Sequence, residues 1–519
     1  MWIQIFDMKK NLLKVLNAPW YFVPLAAYPV LALLYHNISQ VRYTAGIRSL
    51  VISVMAALLL FLLFRLTYRE WHRAAFATAA FSVLFFTYGQ IFDLLQQKWK
   101  ISLPDWLGGF WLLLTVLVFV WAGWKRASFQ NAALPLNIVS LGLMLYVTIQ
   151  IVQVMPTGKQ SDKPVDPHAP LQSLKIAEGQ TPPDIYYIIL DSYGRSDLLK
   201  NNLQFDNSAF ISDLENLGFY VANCSQSNYP RTDVSLGSSL NMDYLQNLND
   251  AFTPKNLDRA QLWESILHSA VQYELENAGY KTIAFASGFA FTEITTASEY
   301  LTPSPVWSPL TEFEILLMRT TPLRHLEDLG LVNLEQIDGQ RYRERTEFDL
   351  NSMKMLAQMA GPKFVFIHMV IPHPLFVFAP DGSPTDPSIF MDAKGIYSQD
   401  NYYKGYRNQA AYIDTQIEKA AQTLQTYSTT PPVIVIQGDH APWLQSGSDQ
   451  FKILNAYYLP DNNKLLYPTI SPVNTFRLIF DTYLGADYPL LDDISYDSPV
   501  PNVFAFKKSL NSCLPNAGP

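Results

Sequence analysis

A chain of 519 residues is too long for one hydrophobic core, so at least two domains are expected. Residues 1–156 carry 12 Lys and Arg against 4 Asp and Glu, a net charge of +8, whereas the remainder carries 25 against 41, a net charge of −16. The basic part is also the apolar part, which points to a membrane-embedded domain and away from a nucleic-acid binder.

Five apolar segments, near 19–36, 49–66, 74–94, 106–124 and 136–155, are each about long enough to cross a bilayer, which takes roughly 20 residues. Pro24 and Pro29 interrupt the first, although transmembrane helices accept proline. It does not read as a cleavable signal, because no small-residue cleavage site follows it and further apolar segments do. Trp20, Trp71, Trp106, Trp121 and Trp124 fall near segment ends, where interfacial indoles prefer to lie. If the segments alternate, Lys9, Lys10, Lys14, Arg65, Arg69, Arg73, Lys125 and Arg126 share one side, and Arg42, Arg48, Lys98 and Lys100 the other. The richer side is expected to be cytoplasmic, so that everything after residue 156 is outside. Asp93 lies within a turn of a segment end and reads as interfacial rather than as an intramembrane acid.

Residues 157–183 are rich in Pro and polar residues and read as a linker that contains a solvated His168. From Asp184 to Pro519 strand and helix patterns alternate, as in a layered α/β domain. Strands are expected at 185–190, 281–287, 363–370, 432–437 and 452–459, with a late edge strand at 502–506. Helices are expected around 207–217, 261–278, 402–426 and 473–485, and 288–350 reads as an irregular insertion at the rim. Cys224 and Cys513 are as compatible with two free thiols as with a disulfide. No CxxC or His-Cys cluster suggests a thiolate metal site.

Two strands carry the chemistry. The run Ile185–Leu190 is apolar without alternation, as in a strand covered on both faces, and Asp191 stands at its carboxyl end, where open α/β sheets gather their ligands. An Asp before Ser-Tyr-Gly is also an ordinary turn residue. The second strand decides between the readings: 432–440, PVIVIQGDH, repeats the design and ends in Asp439 and His440, giving the hard oxygen and nitrogen donors that a catalytic metal requires. The loop at 226–243 offers hydroxyls. Thr232 precedes a stretch that can open a helix, whose free N–H groups favour phosphate, but a Thr there also serves as a simple N-cap. Ser235, Ser238 and Ser239 are alternatives that spacing does not separate.

The ordered set of Asp191 after a strand, Thr232 in a loop opening a helix, His373 in Ile371-Pro372-His373-Pro374 after a later strand, and Gly438-Asp439-His440 resembles the alkaline phosphatase superfamily. With five amino-terminal segments ahead of it, the plan looks like the membrane-bound sulfatase-like enzymes typified by lipoteichoic acid synthase and the lipid A phosphoethanolamine transferases. The resemblance implies an α-helical membrane domain (1–156), a linker (157–183) and an extracytoplasmic sulfatase-like domain (184–519) with a central mixed sheet between helices. It implies Asp191, Thr232, Asp439 and His440 as ligands of one divalent ion, zinc or manganese, with Thr232 as nucleophile and His373 facing the transferred group. Because no histidine follows His440, a second metal is not expected. Arg231 is a weaker phosphate-binding candidate, and His368, His268 and His325 read as structural or exposed. The implied reaction moves a phosphoglycerol or phosphoethanolamine headgroup from a phospholipid donor to a cell-envelope glycan or lipid through a covalent Thr intermediate. The alternative is a hydrolase of the same superfamily: a phosphodiesterase, phosphatase or sulfuric ester hydrolase. A formylglycine sulfatase is not expected, since Ser227-Asn228-Tyr229-Pro230-Arg231 places Pro and Arg side by side.

Overall fold

The computed structural model describes residues 17–37, 45–95, 106–124, 129–154, 168–176, 181–303, 310–328, 331, 333–390, 397–460, 465–509, 511 and 513. The flanking charges Lys9, Lys10, Lys14, Arg42, Lys98, Lys100, Lys125 and Arg126, and most of the 157–183 stretch, lie outside them. The chain divides into two compact units, Met1–Thr157 with Ser308–Leu334, and Gly158–Trp307 with Glu335–Pro519.

The first unit contains helices α1 (Phe22–His36), α2 (Ala45–Tyr68), α3 (Trp71–Asp93), α4 (Trp106–Gly123) and α5 (Ala133–Val154), one at each expected apolar segment. Three stretches are long and apolar enough to cross a membrane, Ala45–Tyr68, Trp71–Asp93 and Gln130–Val152, whereas Phe22–His36 and Leu107–Gly123 are shorter. Leu59, Leu63, Leu112 and Ile138 are outward-facing and more than half exposed, as in helices that use lipid rather than protein to cover their apolar faces.

The Ser308–Leu334 segment belongs to this unit although the chain on both sides of it belongs to the other. Its helix Glu312–Arg319 opens with a capping box between Thr311 and Glu314, and Glu314 also pairs with Arg48 of α2. Phe313, 1 % exposed, packs with Val30, Leu34, Phe86, Val147 and Ile151. Arg324 pairs with Asp93 at 3.1 Å and covers the Phe92 ring, and the Tyr88 hydroxyl bonds to His325. Gly89 permits the closest approach: its N–H donates to the Thr320 carbonyl at 3.0 Å, and a Cβ there would stand 2.5 Å from the Arg319 carbonyl oxygen. The segment is thus a strap built into the helices, and it accounts for Asp93 as one half of an ion pair.

The second unit is built on a seven-stranded mixed sheet in the order β2-β7-β6-β1-β5-β3-β4. The strands are β1 (Ile185–Leu190), β2 (Tyr220–Val221), β3 (Lys281–Phe285), β4 (Glu299–Leu301), β5 (Lys363–Met369), β6 (Val433–Gly438) and β7 (Asn455–Tyr458). β1 lies between β5 and β6, parallel to both. Its residues alternate between two cores: Tyr186, Ile188 and Leu190 face one, and Ile185, Tyr187 and Ile189 the other. That double cover is why the sequence shows an unbroken apolar run. At the opposite end of the strands from the candidate site, buried Lys363 pairs with Asp184.

Of the helices, α6 (Thr232–Ser239), α7 (Leu334–Gln358) and α8 (Gln399–Tyr427) matter for the site. Three expectations are corrected. The 288–350 region is not irregular throughout, since the 25-residue α7 begins within it at Leu334 and runs past its end to Gln358. The 261–278 helix is two, Ala260–Leu267 and Ala270–Asn277, and Ser269 caps the second by accepting from the Gln272 N–H. The late strand is Lys507–Ser509 (β9), paired with Ser495–Asp497 (β8) outside the main sheet. Cys224 and Cys513 form a disulfide across 289 residues, with a Cα–Cα distance of 5.4 Å. On the chain-entropy account, closing so long a loop stabilises the fold by about 5 kcal/mol.

Because the strap is buried among the helices, cutting the chain within 157–183 is expected to leave both pieces together in detergent. Adding Gly89→Val, which drives a branched side chain into the strap backbone, is expected to separate them. Pull-down through an amino-terminal tag measures this, and loss of the carboxyl-terminal piece on cutting the otherwise native chain would count against a buried strap.

Candidate metal centre and active site

Parallel pairing sets the register of the site. Leu190 is opposite Gly438, so the next residue on each strand, Asp191 and Asp439, emerges side by side at the carboxyl ends of β1 and β6. Leu190 is also opposite Met369, which brings His368 of β5 to the same rim from the other side. Asp191 and Asp439 are fully buried, and His368 is 1 % exposed.

Each side chain is held by one atom and offers another. Asp439 Oδ1 accepts the backbone N–H groups of Ser192 and His440, both at 2.9 Å, while Oδ2 has no hydrogen-bond partner. Asp191 Oδ1 accepts the Ser192 hydroxyl at 3.1 Å, and its Oδ2 has none. His368 Nδ1 lies 3.0 Å from the Thr292 hydroxyl, while Nε2 is unpartnered and 3.4 Å from Asp191 Oδ2. One donor atom from each of these three residues lies within 4.8 Å of the other two. His440 Nδ1 donates to the Ala441 carbonyl at 2.7 Å, which leaves Nε2 facing Asp191 Oδ1 at 3.5 Å and Asp439 Oδ2 at 3.6 Å. A ring nitrogen tied to a carbonyl, with its opposite nitrogen free, is how metal-binding imidazoles are oriented.

Electrostatics agree with this geometry. Burial pushes the Asp439 carboxyl up, and the neighbouring Asp191 charge pushes it further. Burial also raises Asp191, but the neighbouring imidazoles of His373, His368 and His440 outweigh it and hold this carboxyl well below its usual range. Burial lowers His440, yet Asp439 and Asp191 raise it on balance. Two carboxylates packed together away from water need a compensating cation. The orphaned Asp191 Oδ2, Asp439 Oδ2 and His368 Nε2, with His440 Nε2 beside them, fit a divalent metal ion.

Thr232 is the first residue of α6 and 9 % exposed. The N-cap is Arg231, and no side chain caps this helix, so the simple capping role does not hold. Arg231 donates from its two terminal nitrogens to the Ser498 carbonyl and hydroxyl while its Nε is buried without a hydrogen-bond partner, and its charge reaches His440, depressing it slightly against the carboxylates. Among the alternative hydroxyls, Ser238 bonds to the Asp243 carbonyl at 2.7 Å and Ser239 to Tyr187 at 3.2 Å. Ser235 Oγ is buried without a partner. His373 follows β5 with its Nδ1 against the Pro374 carbonyl. His268 stands 3.7 Å from Glu264, His168 is half-exposed near Asp250, and His325 belongs to the strap.

His368, which the sequence reads as structural or exposed, is instead buried within the cluster. The available signal was a pair of histidines five residues apart that straddle a strand end, but only strand pairing reveals that His368 points to the same rim as Asp191.

No family model matches the chain, and no curated protein does. Among solved structures it is similar to the C-terminal periplasmic domain of EptC from Escherichia coli, at 13 % identity over 62 % of this chain and 86 % of that one, with a TM-score of 0.40. That domain has also been solved in complex with zinc. It is similar to the integral membrane lipooligosaccharide phosphoethanolamine transferase A of Neisseria meningitidis, at 12 % identity over 89 % of this chain and 94 % of that one, with a TM-score of 0.39. A phosphonate monoester hydrolase of Agrobacterium radiobacter matches at 12 % identity over 60 % and 79 % of the two chains, with a TM-score of 0.39.

If the cluster is a metal centre, Asp439→Asn and His368→Ala should each weaken metal retention by about 10-fold or more, since even residues that only orient ligands commonly cost 10- to 100-fold. Metal analysis after dialysis against a chelator reads this directly. Equal content in wild type and both variants would remove the cluster as a metal site.

The chain is also similar to a 2-O GAG sulfatase, BT1596, at 10 % identity over 61 % of this chain and 77 % of that one, with a TM-score of 0.38.

Proposed function

We propose that the protein is a membrane-bound, metal-dependent phosphoryl-group transferase that moves a phospholipid headgroup, phosphoglycerol or phosphoethanolamine, to a cell-envelope glycan or lipid. The observation that carries the reading is the set of buried, unpaired donor atoms on Asp191, Asp439 and His368 at the carboxyl ends of three adjacent parallel strands. Asp191, Asp439, His440 and His368 would hold one ion, zinc or manganese, with the Thr232 hydroxyl as a further ligand. A bound divalent ion supplies Lewis acidity that lowers the pKa of a hydroxyl and offsets charge on phosphoryl oxygens.

The chain's residues then divide the work. Thr232 Oγ1, having lost its proton, attacks the donor phosphorus in line, and the phosphorus–oxygen bond to diacylglycerol breaks. His373 gives the leaving oxygen its proton and later takes one from the acceptor hydroxyl, which attacks the phosphothreonine and frees Thr232. Backbone N–H groups at the start of α6 favour the phosphoryl oxygens. Water as acceptor makes the same site a hydrolase.

For the architecture we propose a multi-pass membrane domain of five spans over 1–156, a linker over 157–183 and an extracytoplasmic catalytic domain over 184–519. The loop charges and the Cys224–Cys513 disulfide, which belongs in an oxidising compartment, both support that side. A reporter fused after residue 160 should be active only outside the cytoplasmic membrane, and activity confined to the cytoplasm would reverse the orientation.

Thr232→Ala should retain its melting temperature and bound metal but lose turnover by several orders of magnitude, more than about 4 kcal/mol of transition-state stabilisation. Thr232→Ser should retain part of the activity. Mass spectrometry of protein from its native membrane should find a phosphoglycerol, phosphoethanolamine or phosphate adduct on Thr232. A folded Thr232→Ala with near-normal turnover on a fluorescent phospholipid would move the nucleophile, with Ser235 next in line because its hydroxyl is free.

A further inference from the structure

The loop that leaves β6 after His440 runs Ala441-Pro442-Trp443-Leu444 and is unusual in two ways. Trp443 and Leu444 are 48 % and 60 % exposed, and Leu444 has a φ of +69°, a conformation costly for a residue with a bulky side chain. Exposed apolar side chains held on a strained turn need a reason, and the ring contacts supply one.

The Trp443 ring lies 4.9 Å from the His373 ring, centroid to centroid, at 87° to it. Phe289 lies 6.1 Å from the same ring at 89°. The imidazole therefore has an aromatic neighbour in perpendicular contact from the loop after β6 and another from the loop after β3, an arrangement favourable to ring pairs. Trp443 is itself fixed, since its backbone N–H donates to the Tyr402 hydroxyl at 2.8 Å and its ring lies parallel to Tyr402, 6.3 Å away. Tyr402 is buried on α8.

The backbone of His373 is secured separately, because its carbonyl accepts from the Tyr342 hydroxyl at 2.8 Å and from Gln409 Nε2 at 3.1 Å. These bonds fix where the imidazole is attached but leave its ring plane free to turn. Besides the contact of Nδ1 with the Pro374 carbonyl, the described ring contacts are those with Phe289 and Trp443.

We propose that Trp443 is a positioning residue, which holds the His373 imidazole against the metal-ligand cluster and keeps water from one of its sides. The assignment rests on the role given to His373 above. It requires no contact of Trp443 with the reacting atoms, and its partial exposure makes it replaceable without opening a core.

The test uses the full-length protein in detergent with three variants, Trp443→Ala, Trp443→Leu and Trp443→Phe, and two readouts. The first is turnover of a fluorescent phospholipid and of bis(p-nitrophenyl) phosphate, a water-soluble diester. Trp443→Ala should lower kcat about 10- to 100-fold, the scale of a small misplacement of a catalytic group, with KM for the soluble diester within about two-fold. Trp443→Leu, which keeps apolar bulk without an aromatic face, should fall with it, and Trp443→Phe should recover most of the rate. The second is the rate at which diethyl pyrocarbonate modifies His373, mapped by mass spectrometry. It should rise in Trp443→Ala and return towards wild type in Trp443→Phe, while bound metal and melting temperature stay level.

A kcat for Trp443→Ala within two-fold of wild type, a Trp443→Phe as defective as Trp443→Ala, or an unchanged modification rate would overturn the proposal. Should Trp443→Ala fail to fold, the contrast between Trp443→Leu and Trp443→Phe decides it. His373→Asn with normal turnover would instead refute the role of His373, and the modification rate would still report whether Trp443 restrains that ring.

Discussion

Two fully buried carboxylates, Asp191 and Asp439, stand abreast at the ends of adjacent parallel strands, and the surroundings of the site answer to that constraint. Each acid pushed into a low-dielectric interior resists ionisation, and two together resist it more, so the arrangement persists only with positive charge close by. The atoms left unpaired on Asp191, Asp439 and His368 point to a bound cation as its source. The sheet serves this requirement. Strands covered on both faces hold their backbone rigidly enough to keep like charges in place.

The supports around the cluster each remove one freedom. The Ala441 carbonyl and the Thr292 hydroxyl set which nitrogen His440 and His368 turn inward. Backbone N–H groups of Ser192 and His440 both occupy Asp439 Oδ1, leaving the other oxygen for a ligand. Ser192 itself adopts a φ of +65°, so the turn after β1 is strained in order to aim that N–H. Strain of this kind at a strand end is stable only because the packed sheet beneath over-determines the backbone.

The helical unit follows a different physical rule. Its helices leave large apolar side chains facing outward, so specific contacts distinguish one packing from another, among them Gly89 against the strap backbone, Arg48 with Glu314, and Tyr88 with His325. Where burial of apolar surface gives no preference between protein and lipid, close backbone approach and polar pairs must supply it. The strap is a loop of the α/β unit by sequence and a member of the helical unit by packing.

Much of the plan was legible in the chain because it is written in local patterns. Apolar segments of about 20 residues, unbroken apolar strands and an acid or Gly-Asp-His at a strand end depend on burial and period within a few residues, and each of the five helices and both site strands lies where those patterns place them. What depended on distant partners was not legible. His368 read as structural or exposed until the pairing of β1 with β5 turned it to the rim, and nothing near Arg231 in the sequence announced its hydrogen bonds to Ser498, 267 residues away. The disulfide joins residues 289 positions apart, and the 308–334 strap carries too weak a period to announce a place among apolar helices. Sequence periodicity determined which faces of the chain must be buried. The tertiary structure alone decided what each buried face would meet, because register and contact between remote segments are set by packing and not by any property of the segment itself.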